Sequence, residues 1–271
     1  MSSELRVLPV EGLPEVSEGM RVGELIAERV DLQEGDVVVI SQKIVSKAEG
    51  QVRRLPEVVP SQRAQEMGKE LGKEAALVEL ILSESRAVLR AERGILITET
   101  HHGFVCANAG IDSSNLPEDG TVCLFPQDPD ASARAIRSEV ITAMERQTQR
   151  ALKTGPHRGP NSALAEFGPP AVVIADSFGR AWRLGQAEVA IGCAGLMPLD
   201  DWRGRTDAGG RELSATVIAI ADEVAAAADL VRTKDSGVPA AVARGLGEYV
   251  TAEDGPGAAA LRRSPAEDLF R

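Results

Sequence analysis

The 271-residue chain is 43% hydrophobic but only 3% aromatic, so its core must be built mainly from Val, Ile, Leu and Ala. Its 41 acidic residues outnumber its 30 basic residues, and the formal charge of −11 disfavours nucleic acid and anionic membrane as partners. No apolar run is long enough to span a membrane, and the three cysteines form no CxxC pair, which indicates a reducing cytoplasm rather than a disulfide framework or zinc site.

The N-terminal half alternates short apolar runs with helical patterns. Residues 36–41 (DVVVIS) predict a buried strand, and residues 62–81 carry apolar side chains at helical spacing, which predicts one helix. Residues 94–98 and 103–107 predict two further strands joined by a tight connection at His101-His102-Gly103. No P-loop and no GxGxxG motif follows any of these strands, so a bound nucleotide would need another device.

The C-terminal half continues the mixture of helices and strands. Asp128-Pro129-Asp130 has the proline and acidic residues of a helix start, and we expect this helix to run to about Arg150. The later predictions are a loop at 153–161, a strand at 171–175, a long helix at 213–231, a strand at 238–243 and a weakly packed tail after Gly245. These elements predict one domain over residues 1–245, or two subdomains within it, and a tail over 246–271.

Two segments carry oxygen ligands suited to a divalent cation. In residues 107–115 (ANAGIDSSN), small residues precede Asp112, and Asn115 offers both a donor and an acceptor. An ordinary Asx-turn explains this segment better on spacing alone. In residues 172–183, a buried strand is expected to end at Asp176 and Ser177, although a helix N-cap explains these two residues equally well.

Other segments offer positive charge. Lys43 and Lys47 lie four residues apart in QKIVSKAEG, where they could contact phosphate, but a solvated basic turn is the better explanation in isolation. Residues 201–212 contain three arginines, which suit an anion-binding loop or, more commonly, a salt-bridged surface loop. If these acidic and basic segments converge, they supply what metal-assisted phosphoryl transfer requires.

Five long motifs resemble the coenzyme F-420-0:γ-glutamyl ligase family. They occur in the family's order, and the similarity extends from about Leu5 to Arg244. The motifs are SQKIVSKAEG (41–50), ETHHGFVCANAGIDSSN (99–115), DPDASARAIR (128–137), ADSFGRAWRLGQAEVAIGCAGL (175–196) and RTDAGGRELSATVIAIADEVAAAADLV (205–231).

The resemblance implies an α+β fold of mixed sheets and helices that forms an intertwined homodimer. It implies a ligase that uses GTP to join L-glutamate to the terminal carboxylate of F-420-0, through an acyl phosphate, and that in many members adds further γ-linked glutamates. It also implies two divalent ions per site, Mn²⁺ or Mg²⁺, with help from K⁺. The chain length implies the stand-alone type, which lacks the flavin-binding domain of actinobacterial relatives.

Site residues follow from the same resemblance. Asp112 and Asp176 match carboxylates that bridge metal and serve catalysis, and Ser177 matches the ligand of the second metal. The residues that match GTP contacts are Leu13, Pro14, Glu15, Val16, Gln42, Lys47 and Asn115, and the segment 232–239 resembles a further nucleotide contact. The alternatives are a GTP-dependent ligase for a different carboxylate acceptor and a non-catalytic nucleotide-binding regulator.

Overall fold

A computed structural model describes residues 4–114, 116, 118–154, 167–264 and 266–269, with the side chains of 151–154 excluded. Its helices are α1 (Val22–Ala27), α2 (Gln42–Ala48), α3 (Gln62–Leu71), α4 (Ala75–Ser83), α5 (Pro129–Thr154) and α6 (Ile220–Asp229). The first six strands are β1 (Arg6–Pro9), β2 (Val37–Ser41), β3 (Val52–Arg54), β4 (Ser85–Glu92), β5 (Ile95–Thr100) and β6 (Val105–Ala107). The remaining strands are β7 (Thr121–Cys123), β8 (Ala171–Gly179), β9 (Gln186–Ala194), β10 (Asp200–Asp201), β11 (Val217–Ile218) and β12 (Ala240–Arg244).

The largest sheet has five strands in the order β1-β12-β2-β8-β9. Strands β2 and β8 are parallel, and the other neighbours are antiparallel. Both faces of this sheet are covered, which explains why the central strands read as continuous apolar runs rather than alternating ones. The strands predicted at 36–41 and 171–175 are therefore confirmed as its buried centre.

Alternation along the strands divides the apolar side chains between two cores. On one face, Val38 and Ile40 pack with side chains of α1 and α5. On the other face, Val37 and Val39 pack with the Ala-rich α6. Side chains along β2 and β8 therefore point alternately toward α1 and α5 on one face and toward α6 on the other.

A smaller unit holds α3, α4 and the three-stranded sheet β4-β5-β6 around its own core, with Leu96 and Ile81 at the centre. The prediction of one helix over 62–81 was wrong. Gly72 ends α3 in the left-handed conformation (φ 63°), and α4 begins three residues later. A glycine in this conformation caps a helix C-terminus, so the apolar spacing runs across two helices rather than one.

Other predictions need correction in length. Helix α6 begins at Ile220 rather than 213, because residues 217–218 pair with β10 instead. Strand β8 continues to Gly179 as a ribbon with β9, so Asp176 and Ser177 lie inside a strand and neither caps a helix. The predicted loop begins inside α5, which reaches Thr154, and residues 155–161 lie outside the described part of the chain.

The tail packs more firmly than its composition predicted. Asp254 forms an ion pair of 2.8 Å with the buried Arg137, and its carbonyl oxygen accepts a hydrogen bond from Gly195 N–H. Asp130 accepts hydrogen bonds from the backbone N–H groups of Ala258 and Ala259. Specific polar contacts therefore hold this segment against α5 and β9. The described helices include none that is both long enough and apolar enough to cross a membrane.

Candidate active site

Several of the predicted site residues that the structure describes lie near the C-terminal end of β2. Ser41, the last residue of β2, pairs with Ala175 of β8, and Asp176 comes next along β8. Helix α2 starts directly after Ser41, which brings Lys43 to the same edge of the sheet. Parallel strands end at one edge of a sheet, and residues that follow them are held near one another.

Asp112 is held on a short segment after β6. Lys43 Nζ lies 2.8 Å from Asp112 Oδ2, and Ser114 N–H donates to Asp112 Oδ1 at 2.7 Å. The second contact is an Asx-turn, so the simpler explanation of this segment describes its backbone correctly. Burial by itself would raise the pKa of Asp112, but the hydrogen bonds from Lys43 and Ser114 and the charge of Lys43 outweigh it, and the pKa is lowered.

The small residues before Asp112 have a packing role. Gly110 has a φ of 72°, and a Cβ at this position would lie 1.9 Å from Cζ of Phe125. Ala109 is buried in the smaller core and also has positive φ. The glycine is therefore needed to form the turn and to leave room for the Phe125 ring, in addition to any approach to a ligand.

Asp176 has the opposite electrostatic environment. Removal from solvent raises its pKa to about 7, and the charges of Glu188 and Asp112 act in the same direction. The backbone N–H of Ser177 and the charge of Lys43 oppose the rise without cancelling it. Lys43 thus acts on both carboxylates, directly on Asp112 and through its charge on Asp176.

This donor set suits a metal ion that is shared with phosphate. The excess of carboxylate charge around Asp176 is the condition that a divalent cation relieves. Among the described residues, no group of three His, Cys, Asp or Glu side chains could hold a metal ion. Mg²⁺ in nucleotide enzymes commonly takes one or two carboxylates, with water and substrate phosphates completing its shell, so Asp112 and Asp176 fit that mode.

Ser177 points away from Asp176, because successive residues of a strand face opposite sides of the sheet. Its hydroxyl lies 2.8 Å from Oε1 of Glu188, its direct partner across the ribbon. Lys234 Nζ lies 2.7 Å from the same hydroxyl oxygen, and Arg232 pairs with Glu188 at 3.1 Å. Sequence reasoning missed Glu188, although a lone acid in the apolar run QAEVAIGCA was an available signal.

Helix α2 connects these acids to the N-terminal turn. Lys43 and Lys47 are four residues apart and therefore share one helical face. Lys47 Nζ lies 2.5 Å from Glu15 Oε1, and the lysine side chain is only 9% exposed. In the turn at 13–16, Val16 is buried, Leu13 is partly buried, and Pro14 and Glu15 are exposed. The predicted phosphate-contacting lysine and the predicted turn are thus neighbours.

Gln42 is the first residue of α2, and its side chain is buried. Its amide nitrogen donates to Ser46 Oγ at 2.6 Å and to the Leu124 carbonyl at 2.8 Å, which uses both amide hydrogens. This geometry gives Gln42 a role in anchoring the helix that carries Lys43 and Lys47. Asn115, predicted to contact nucleotide, lies outside the described residues.

Two of the three arginines in the segment at 201–212 form ion pairs with nearby acids. Arg203 contacts Asp201 at 2.5 Å, and Arg205 contacts Asp200 at 3.2 Å. These pairs match the salt-bridged surface loop that sequence reasoning considered the commoner explanation. Arg180 lies in the exposed turn between β8 and β9, where it donates to the Leu184 carbonyl.

Comparison with known proteins identifies the family. The family model described as F-420-0:gamma-glutamyl ligase matches residues 12–150 and 167–245. The chain belongs to the F-420-0:gamma-glutamyl ligase family. Both segments that supply Asp112 and Asp176 fall inside the match, as do α2 and the β8–β9 ribbon.

Similarity to individual members of the F-420-0:gamma-glutamyl ligase family extends over nearly the whole chain. The coenzyme F-420:L-glutamate ligase of Methanothermobacter thermautotrophicus is 40% identical over 98% of this chain and 99% of its own length. The protein of the same name from Archaeoglobus fulgidus is 40% identical over 98% of this chain and 96% of its own. The Methanopyrus kandleri protein, again of that name, is 41% identical over 98% of both chains.

Proposed function

We propose that this protein is a ligase that uses GTP and divalent metal to join L-glutamate to the terminal carboxylate of F-420-0, with further γ-linked glutamates as possible later additions. The similarity to proteins named coenzyme F-420:L-glutamate ligase supports the reaction. One observation supports the location of the site. Lys43, in the helix that directly follows β2, lies 2.8 Å from Asp112, and Asp176 follows the β8 residue that pairs with the last residue of β2.

The proposed chemistry has two steps. A carboxylate oxygen of the acceptor attacks the γ-phosphorus of GTP, the bond to GDP breaks, and an acyl phosphate forms. The amine of glutamate then attacks the acyl carbon, loses a proton, and phosphate leaves. Divalent cations, one held by Asp112 and Asp176 and a second held by Ser177, would neutralise phosphate charge when bound.

The chain's own residues would mainly position the reactants. The protein carries a formal charge of −11, so a triphosphate requires a local region of positive charge. Lys43 and Lys47 supply ammonium groups near the carboxylates, and each is already held by a hydrogen bond to a defined neighbour. Such fixed charges lower the barrier because they need little rearrangement during the reaction.

Three further properties belong to the same proposal. Two Mn²⁺ or Mg²⁺ ions would act in each site, and Asp176 and Ser177 would bind different ions because they face opposite sides of β8. K⁺ would assist them, and two copies of the chain would form a homodimer. The turn at 13–16 and the segment around Asn115 would contact GTP together with Lys47.

Mass spectrometry of the product tests the proposal. Purified protein is incubated with F-420-0, glutamate and Mn²⁺, with GTP and ATP in parallel reactions. A mass increase of one or more glutamyl units with GTP supports the proposal. GTP turnover with another carboxylate, but none with F-420-0, would assign a different acceptor. GTP binding without GDP release in the presence of both acceptor and glutamate would assign a non-catalytic regulator.

A further inference from the structure

Glu188 lies directly across the β8–β9 ribbon from Ser177. The Ser177 hydroxyl is 2.8 Å from Glu188 Oε1, and Lys234 Nζ is 2.7 Å from the Ser177 oxygen. An ammonium group can only donate hydrogen bonds, and an ionised carboxylate can only accept them. The hydroxyl proton must therefore point to Glu188, which leaves the lone pairs of the Ser177 oxygen turned toward the ammonium of Lys234.

Arg232 fixes the second oxygen of Glu188. Its Nη2 lies 3.1 Å from Glu188 Oε2, and the two side chains are only 4% and 7% exposed. Arg232 also donates to the carbonyl oxygens of Ala228 and Pro239, on either side of the connection between α6 and β12. A buried, paired carboxylate of this kind keeps one orientation, and so does the hydroxyl that donates to it.

Lys234 differs from Arg232 in its freedom to move. Its side chain is 71% exposed, and its ammonium is 3.7 Å from Glu188 Oε1. It can leave the hydroxyl at small cost, because an exposed ion pair contributes little free energy. The Ser177 lone pairs then face outward while Glu188 retains the proton end of the hydroxyl.

We propose that Glu188 is a positioning residue that orients the Ser177 hydroxyl to receive a divalent cation, and that Lys234 competes with this cation for the same lone pairs. The inference rests on the proposed function, which gives Ser177 its metal, and it adds a residue to that site. Replacing a group that hydrogen-bonds a metal ligand commonly weakens metal binding by about 10- to 100-fold.

Mn²⁺ binding provides the test, with affinity and number of sites measured by electron paramagnetic resonance on wild type, Glu188→Gln, Ser177→Ala and the double variant. Glu188→Gln should weaken one class of sites about tenfold or more, because its amide is uncharged and can also donate. Ser177→Ala should weaken the same class, and the double variant should bind no worse than Ser177→Ala. Wild-type binding by Glu188→Gln, or additive losses in the double variant, would overturn the inference.

Two further variants separate positioning from folding. Glu188→Gln leaves Arg232 buried without its charged partner, so Glu188→Gln combined with Arg232→Gln restores neutrality. This pair should melt closer to wild type and still bind Mn²⁺ weakly, and recovery of wild-type affinity would contradict the inference. The matched control is Glu49→Gln, which alters a Glu–Ser pair elsewhere, between Glu49 and Ser132 at 2.5 Å, and should retain wild-type Mn²⁺ binding.

Product formation by the wild type separates the two proposals. If the wild type makes γ-glutamyl product while Glu188→Gln binds Mn²⁺ normally, the inference alone fails. If the Mn²⁺ pattern is as expected but the wild type makes no product, the proposed function fails and the role of Glu188 stands. A wild type that binds no Mn²⁺ overturns the inference directly.

Discussion

Lys43 places its ammonium 2.8 Å from the carboxylate of Asp112, and the same charge opposes the rise in the pKa of Asp176. One lysine on the first turn of α2 therefore acts on acids from two separate segments. The surroundings of the two acids explain why their pKa values shift in opposite directions. At Asp112, the hydrogen bonds from Lys43 and Ser114 and the charge of Lys43 outweigh burial, so the pKa is lowered. At Asp176, burial and the charge of Glu188 outweigh the Ser177 N–H and the more distant charge of Lys43, so the pKa is raised.

Lys43→Gln should raise the pKa of Asp112. Burial alone raises this pKa, and the substitution removes the charge of Lys43 and weakens its hydrogen bond, which are two of the effects that oppose burial. An NMR titration of the aspartate carboxyl carbons measures the change, and turnover should fall about tenfold or more. Lys69→Gln, on the exposed surface of α3, is the control. An unchanged Asp112 titration would contradict this account of the site.

Asp176→Asn should abolish measurable turnover, with a loss of about 100-fold or more, because an amide is a poor replacement for a metal-bridging carboxylate. Stability should not fall, since ionised Asp176 is unfavourable in its surroundings. Product formation and thermal melting at about pH 8 are the two measurements. Asp31→Asn, before the opposite end of β2, is the control. If the Asp176→Asn variant were active, the proposed role of Asp176 in the reaction would be wrong.

The stability of the Glu49→Gln variant relative to the wild type should increase as pH rises. Burial raises the pKa of Glu49 more than the Ser132 hydrogen bond lowers it, and the charge of Asp128 adds to the rise. The folded state thus favours protonated Glu49, and the wild type loses stability as pH rises through the raised pKa. Gln cannot ionise and keeps an acceptor for Ser132. The difference in unfolding free energy, from urea titrations at about pH 4 and about pH 7, should favour the variant more at the higher pH. A pH-independent difference would refute it.

Arg244→Met should destabilise the fold by about 3 kcal/mol, because it leaves the buried Asp36 without its charged partner; the partial exposure of Arg244 places the loss at the low end for a buried pair. Arg244 contacts both carboxylate oxygens at 2.8 Å, and the Asp36 side chain is 1% exposed. Urea unfolding measures the loss. Arg203→Met removes the exposed pair with Asp201 and should change stability little. If both substitutions lowered the free energy of unfolding equally, burial would not determine how much an ion pair contributes to stability.

The local order of the sequence determined much of this protein. The apolar runs at 37–40 and 171–175 indicated buried strands, because both lack polar positions on either face. The proline and acids at 128–130 marked the start of α5, and the long motifs carried the family resemblance. These features depend on residues that are neighbours along the chain, which is the range over which spacing and capping act.

Tertiary structure alone decided how distant groups meet. The side chains of Asp176 and Ser177 diverge because β8 extends as a ribbon with β9, and no local pattern reveals that pairing. Glu188 contacts Ser177, 11 positions away in the chain, across that ribbon. It also contacts Arg232, which is 44 positions away. The pKa of Asp176 likewise depends on solvent exclusion and on charges from three other segments. Burial and long-range charge are properties of the packed chain, so the order of residues could propose the site but could not determine its geometry.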